Sequence, residues 1–130
     1  MAVGVLLVTH EGIGTAMIAV ASRLLRKLPL QAVVFEVPFD ADPATLLPQA
    51  SAALRRADAG DGVLVLTDLY GASPANLAQQ LAHLGTPVRR VSALSLPMLL
   101  RVMNYAEQGL DDLPAVAAAG TRNGAIVDDA

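Results

Sequence analysis

Two apolar runs, each followed directly by a titratable residue, constrain the fold of this chain most strongly. Residues 3–9 are rich in valine and leucine and lead to His10, and residues 63–67 have the same character and lead to Asp68. A β-branched and leucine-rich run that ends abruptly in a polar residue and a glycine-containing loop is typical of a buried strand. In an open α/β sheet, ligands bind at the carboxyl ends of the strands, so we expect the functional residues there.

Between and after these runs, strand-like and helix-like segments alternate. The predicted strands cover residues 3–9, 31–37, 63–67 and 88–92, and the predicted helices cover residues 15–28, 43–57, 73–85, 97–106 and 113–119. Strands that alternate with helices require crossover connections. The sequence therefore predicts an α/β fold, a single domain over residues 1–130 with a mostly parallel sheet and helices on both of its faces.

Several local features sharpen or complicate this prediction. The near-continuous apolar character of residues 31–37 favours a strand buried on both faces. Pro48 requires either a kink in the second helix or a late start of that helix. Gly120 is expected to end the last helix, and residues 124–127 are compatible with a final short strand.

The composition of the 130 residues excludes several classes of protein. The net charge is −3, and the nine basic residues are dispersed along the chain, which argues against a nucleic-acid partner. The chain contains no cysteine, so disulfides, zinc-thiolate sites and thiol catalysis within it are excluded. The first apolar run is too short for a signal sequence or a membrane span, which makes a cytoplasmic protein without membrane insertion the expectation.

His10 and Asp68 form the candidate catalytic pair. Because parallel strands bring their carboxyl ends to the same edge, the two side chains lie within hydrogen-bond reach if the first and third strands are neighbours. A carboxylate that accepts one imidazole N–H fixes the tautomer, leaves the other nitrogen as a nucleophile and stabilises the cation that forms. Asp68 would then orient His10 without reacting itself. The ordinary alternatives are a structural histidine and an aspartate that binds the amides of its own loop.

Two loops at the same edge could bind an anion. The segment Gly71-Ala72-Ser73-Pro74 offers backbone N–H groups, one hydroxyl group and a helix N-terminus, and a second small loop contains Gly12. Together they could hold a phosphoryl group. Ser73 is also explained as a helix N-cap, and the glycines near His10 lack the remainder of a dinucleotide-binding motif. His83, near a predicted helix end, is interpreted as a surface residue.

The sequence resembles the IIA domains of the mannose-family phosphotransferase system (PTS). The resemblance extends over essentially the whole chain. It is carried by residues 8–10 (Val-Thr-His), 67–76 (Thr-Asp-Leu-Tyr-Gly-Ala-Ser-Pro-Ala-Asn) and 91–99 (Val-Ser-Ala-Leu-Ser-Leu-Pro-Met-Leu). The second segment is the most specific of the three. The sequence departs from the family pattern at Glu11, where glycine is common, and at Ala72, where a second glycine is common. We expect the Glu11 side chain to point to solvent.

The resemblance implies a phosphocarrier. His10 would accept a phosphoryl group from the phosphohistidine protein HPr and pass it to a IIB component, with Asp68 as orienting residue and Ser73, Gly71 and Ala72 beside the phosphoryl group. It also implies a cytoplasmic homodimer that exchanges its carboxyl-terminal strand. The residues present need no metal, and we expect no cofactor. We expect an apolar rim around Ile13, Leu69 and Tyr70 to meet HPr.

Two other functions remain open at this stage. The same fold could serve as a regulatory module of an incomplete phosphotransferase system, signalling through its phosphorylation state without sugar transport. Alternatively, Asp68 could be the acceptor of a receiver-like phospho-aspartate domain. That hypothesis requires an acidic cluster at the end of the first strand, where the chain has only His10 and Glu11.

Overall fold

The computed structural model describes residues 2–128, which form a four-stranded parallel sheet with helices on both faces. The strands are β1 (Ala2–His10), β2 (Ala32–Val37), β3 (Gly60–Thr67) and β4 (Val88–Val91), in the spatial order β2-β1-β3-β4. The helices are α1 (Ile13–Leu25), α2 (Leu47–Ala57), α3 (Ser73–Leu81), α4 (Leu96–Asn104) and α5 (Leu113–Gly124). The predicted fold class is confirmed.

The strand order creates a switch point between β1 and β3. The chain leaves β1 toward β2 on one side, and β3 and β4 then follow on the other side. Residues 5–8 of β1 pair with residues 64–67 of β3, so Asp68, directly after β3, comes beside the last residues of β1. His10 and Asp68 therefore lie at the position where an open parallel sheet forms its binding crevice.

Two apolar layers enclose the central strands, because successive residues of a strand point to opposite faces. Val5, Leu7 and Leu64 pack on one face in a core shared with α1, α4 and α5. Leu6 and Val65 pack on the other face in a core shared with α2 and α3. The paired strands β1 and β3 are thus held rigidly from both sides.

The predicted burial of β2 and the short strand at residues 124–127 are not found in this chain. β2 is an edge strand, and residues 32–36 are only partly buried, because a strand with one neighbour and incomplete helix cover keeps accessible surface despite its apolar sequence. Residues 125–128 form no strand; they follow α5 as exposed irregular chain. An exchanged strand would pair with a second subunit, so the exchange that the resemblance implied stays a prediction.

The helix boundaries differ from the predicted ones at three places, each for a physical reason. Pro48 marks a late start, since a 3-10 turn (Pro43–Leu46) precedes α2 and places this proline in the first helical turn, where a missing N–H is harmless. Gly120 does not end α5. An added Cβ there would lie 2.7 Å from the Cα of Met98, so this glycine allows α5 to pack closely on α4. The N-cap of α3 is Ala72 and not Ser73, which is the first helical residue.

Candidate functional site

The structure brings His10 and Asp68 into direct contact, as predicted. Oδ2 of Asp68 accepts a hydrogen bond from the backbone N–H of His10 at 2.9 Å and lies 2.8 Å from Nδ1 of the same residue. The exposed fractions of the two side chains are 22% and 9%, so the pair is partly shielded from water. The two bonds to one oxygen hold the backbone of His10 and one edge of its imidazole ring.

This contact decides which nitrogen of His10 is free. A carboxylate oxygen can only accept, so Nδ1 carries the proton of the neutral ring and donates it to Asp68. Nε2 then keeps its lone pair. Oδ1 of Asp68 is buried and has no hydrogen-bond partner within residues 2–128, so only one carboxylate oxygen is engaged.

The threonine that precedes each of the two residues anchors a neighbouring loop. The Thr9 hydroxyl group donates to the carbonyl of His10 at 2.8 Å and accepts from the backbone N–H of Gly14 at 2.9 Å. The Thr67 hydroxyl group donates to Ser92 at 3.0 Å. Both threonines are buried, and they join β1 to the start of α1 and β3 to the residue that follows β4.

The N-terminus of α1 already has its own carboxylate. Glu36 accepts a hydrogen bond from the backbone N–H of Thr15 at 2.9 Å. Hydrogen bonds from the Gly12 amide and from Thr15 lower the pKa of the Glu36 carboxyl group, with burial opposing them. A carboxylate thus already accepts hydrogen bonds at the start of α1, and a phosphate-binding role of Gly12 stays a prediction.

The N-terminus of α3 is different. Among residues 2–128, no side chain caps this helix. Gly71 has a φ of 84°, which favours glycine, and an added Cβ would meet nothing within 4 Å. The Ala72 N–H makes a long bond of 3.3 Å to the carbonyl of Leu69, and Ser73 is exposed. The predicted phosphate-side residues thus lie on an open loop that follows Asp68 directly.

Sequence reasoning missed Phe39, which stacks on the imidazole ring of His10. The ring centroids are 5.3 Å apart and the planes differ by 24°. The Phe39 N–H donates to Oε1 of Glu11 at 2.9 Å, so the Glu11 side chain, although exposed, is tied to the chain beyond β2 instead of pointing freely to solvent. The sequence shows only that Phe39 follows the end of a predicted strand; the pairing of Val37 with His10, which brings it to the site, is set by the tertiary structure.

The predicted apolar rim and His83 lie on the surface, and Ser95 has a structural role. Ile13, Leu69 and Tyr70 are exposed by 37%, 60% and 86%. His83 is exposed in the turn after α3. Ser95, within the third resembling segment, caps α4 by accepting from the Met98 N–H at 3.1 Å, so at least that part of the segment is structural.

No helix within residues 2–128 is both long and apolar enough to cross a membrane. In the same part of the chain, no group of three or more His, Asp or Glu side chains is arranged to hold a metal ion. An acidic cluster of the kind that a receiver-like domain needs beside Asp68 is accordingly not found there.

Known proteins with similar sequences and structures are phosphotransferase components and a regulator. YadI of Escherichia coli, whose name describes a phosphotransferase enzyme IIA component, is 39% identical over 55 residues, which is 42% of this chain and 38% of YadI. The transcriptional regulatory protein LevR of Bacillus subtilis is 29% identical over 113 residues, which is 83% of this chain and 12% of LevR. The chain thus spans well under half the length of both relatives.

The mannose/sorbose-specific IIA subunit from Enterococcus faecalis has the same fold, with a TM-score of 0.87 and 21% identity over 100% of this chain and 97% of that subunit. The family model described as PTS system fructose IIA component matches residues 4–118, which include the switch point and all of the sheet except the first two residues of β1. This chain therefore belongs to the family of PTS system fructose IIA components, EIIA-man.

Proposed function

We propose that this protein is a cytoplasmic phosphocarrier in which Nε2 of His10 accepts a phosphoryl group from HPr and passes it to a IIB component. The observation that carries the proposal is the 2.8 Å contact between Asp68 Oδ2 and Nδ1, because it leaves Nε2 as the nucleophile of a neutral ring. Membership of a phosphotransferase family supports phosphoryl transfer as the chemistry.

The proposed step is an in-line displacement at phosphorus. The bond between Nε2 of His10 and phosphorus forms while the phosphorus–nitrogen bond of the donor histidine breaks. The proton on Nδ1 remains in its hydrogen bond to Asp68, which stabilises the positive charge that develops on the ring. Positioning and charge stabilisation supply most of the rate enhancement in such transfers.

We place the phosphoryl oxygens on the side of α3. The amides at the start of α1 already bind Thr9 and Glu36, whereas α3 has no capping side chain among the described residues. The hydroxyl group of Ser73 and the amides of Gly71 and Ala72 would face the equatorial oxygens. We expect HPr to dock on the apolar rim of Ile13, Leu69 and Tyr70.

The test is labelling with radioactive phosphoenolpyruvate in the presence of enzyme I and HPr. The chain has two histidines, so His83→Ala is a matched control for His10→Ala. We expect the label to be lost in His10→Ala, to be kept in His83→Ala, and to be labile to acid and stable to alkali. Label that persists in His10→Ala refutes the assignment.

A regulatory role is the second candidate, and the similarity to LevR over 113 residues favours it. In this case phosphorylation of His10 would change the binding of a partner, without passage of the phosphoryl group to a IIB component. Affinity capture with phosphorylated and unphosphorylated protein, combined with a chase onto purified IIB, distinguishes the two functions. Label transferred to IIB supports the carrier, and a partner that binds one state only, without transfer, supports the regulator.

A further inference from the structure

Phe39 and Glu11 form a contact pair beside His10 that the proposed phosphoryl transfer does not by itself require. Phe39 is 73% exposed, yet its ring lies 5.3 Å from the imidazole centroid at an angle of 24°. Aromatic rings attract each other in offset arrangements at this separation. The contact covers one face of the imidazole ring, while Asp68 holds one edge through Nδ1.

Glu11 holds the segment that carries Phe39. Its Oε1 accepts the Phe39 N–H at 2.9 Å, and this bond joins the residue after β1 to the turn after β2 across 28 positions of the chain. The same turn is closed by a weaker bond of 3.3 Å from the Ala41 N–H to the carbonyl of Pro38. Glu11 therefore supplies a tertiary anchor to an otherwise exposed loop.

We propose that Phe39 is a positioning residue for His10 and that Glu11 acts through Phe39. The proposal rests on the proposed function, because it assumes that Nε2 is the reacting atom. A single hydrogen bond at Nδ1 permits the ring to tilt about that bond. A stacked ring on one face opposes the tilt and holds Nε2 in the direction required for in-line attack.

The decisive reagent is phosphoramidate, a small phosphoryl donor that makes no protein–protein contact. In its reaction with His10 the Nε2–phosphorus bond forms, the phosphorus–nitrogen bond of phosphoramidate breaks, and the amine leaves as ammonia after taking up a proton. A residue that only helps HPr to dock does not affect this reaction. A residue that positions the ring affects both this reaction and the transfer from HPr.

We expect Phe39→Leu to slow labelling of His10 by phosphoramidate about 3- to 10-fold, which corresponds to the strength of one aromatic pair. The separate variant Phe39→Tyr should react at the rate of the unmodified protein, because it keeps the stacked ring. Leu84→Ala removes an exposed apolar side chain in the turn after α3 and should retain the rate of the unmodified protein. Thermal unfolding of each variant is measured in parallel.

The role of Glu11 is tested by a double-mutant cycle. Glu11→Ala removes the acceptor of the Phe39 N–H and should slow the reaction in the same direction, whereas Glu11→Gln keeps an acceptor oxygen and should react normally. The double variant Glu11→Ala/Phe39→Leu should be no slower than Phe39→Leu alone. A double variant in which the two losses multiply overturns the claim that Glu11 acts through Phe39.

Nuclear magnetic resonance provides a readout that is independent of rate. The ring current of Phe39 should displace the ring-proton resonances of His10, and both Phe39→Leu and Glu11→Ala should reduce this displacement. If His10 is labelled but Phe39→Leu reacts with phosphoramidate at the normal rate, the positioning role is wrong and the proposed function stands. If neither HPr nor phosphoramidate labels His10 in the unmodified protein, the proposed function itself fails.

Discussion

One carboxylate oxygen determines the chemical state of His10. Oδ2 of Asp68 binds both the backbone N–H and Nδ1 of the histidine, so the same contact holds one edge of the ring and sets its tautomer. The pairing followed from the sequence, because both residues come directly after apolar strands. The roles of Phe39 and Glu36 did not, since no local pattern marks either residue and only the pairing of β2 with β1 brings them to this edge of the sheet.

Replacing Asp68 by asparagine tests the orienting role at nearly constant shape. We expect Asp68→Asn to slow labelling of His10 by HPr on the order of 10²- to 10⁴-fold, because an amide can present a donor to Nδ1 and carries no charge to stabilise the cation. Rapid-quench labelling measures the rate. The orienting role is refuted if the folded variant is labelled at the normal rate.

Glu36 provides a pH-dependent contribution to stability. The pKa of its carboxyl group is lowered from the ordinary value of 4.5 by hydrogen bonds from Gly12 and Thr15, so the ionised form favours the folded state. This contribution is present above pH 4.5 and is lost as the pH falls through the lower value of the folded protein.

Glu36→Gln should therefore reduce the free energy of unfolding by about 0.3–1 kcal/mol at pH 7, the usual magnitude for a charge at a helix N-terminus. The difference between the two proteins should disappear at a pH well below 4.5, where both side chains are neutral. Urea unfolding at both pH values is the measurement. A difference that is equal at both pH values would mean that the charge of Glu36 is not its cause.

Among the elements, the two helices that start beside the site differ in how their N-termini are satisfied. The side chains of Thr9 and Glu36 accept hydrogen bonds from amides at the start of α1, whereas no side chain among the described residues caps α3. The sequence predicted both helices and both loops. It did not distinguish them, because the carboxylate that occupies α1 comes from β2, and only the pairing of β2 with β1 brings it there.

The contact between α4 and α5 depends on Gly120. In an exposed helix, alanine in place of glycine stabilises by about 1 kcal/mol. We expect the opposite here, a loss of roughly 1–3 kcal/mol in the free energy of unfolding for Gly120→Ala, because the added Cβ would lie 2.7 Å from Met98 Cα and 2.9 Å from the carbonyl oxygen of Pro97.

Gly109→Ala is the matched control, since an added Cβ there meets nothing within 4 Å. Its effect should stay within about 0.5 kcal/mol. Both variants are compared by urea unfolding at pH 7. Equal stability of the two variants would show that the close approach of α5 to α4 is readily relieved.

For the whole molecule, the outer edges of β2 and β4 have no partner strand within residues 2–128. Ile126 and Val127, beyond the end of α5, are exposed by 79% and 87%. Unpaired strand edges and exposed apolar side chains are surfaces that association between chains can cover. The homodimer implied by the family resemblance remains a proposal that these surfaces support.

We predict that the protein sediments as a dimer. The double substitution Ile126→Asp/Val127→Asp should shift it toward the monomer and raise the dissociation constant of the dimer at least 10-fold. Leu24→Asp, which adds a charge at an exposed leucine of α1, should leave the association unchanged. Sedimentation at several concentrations measures both. A dimer that tolerates the double substitution excludes residues 126 and 127 from the interface.

The sequence by itself determined the fold class, the parallel sheet and the two residues at its switch point. These features depend on local patterns: apolar runs, helical periodicity, and a titratable residue at the end of each strand. The tertiary structure alone decided that β2 is an edge strand, that Gly120 serves packing, that Glu36 occupies the start of α1, and that Phe39 covers His10. The physical reason is that each of these depends on which distant segment becomes a neighbour, and neighbours are set by strand order and packing.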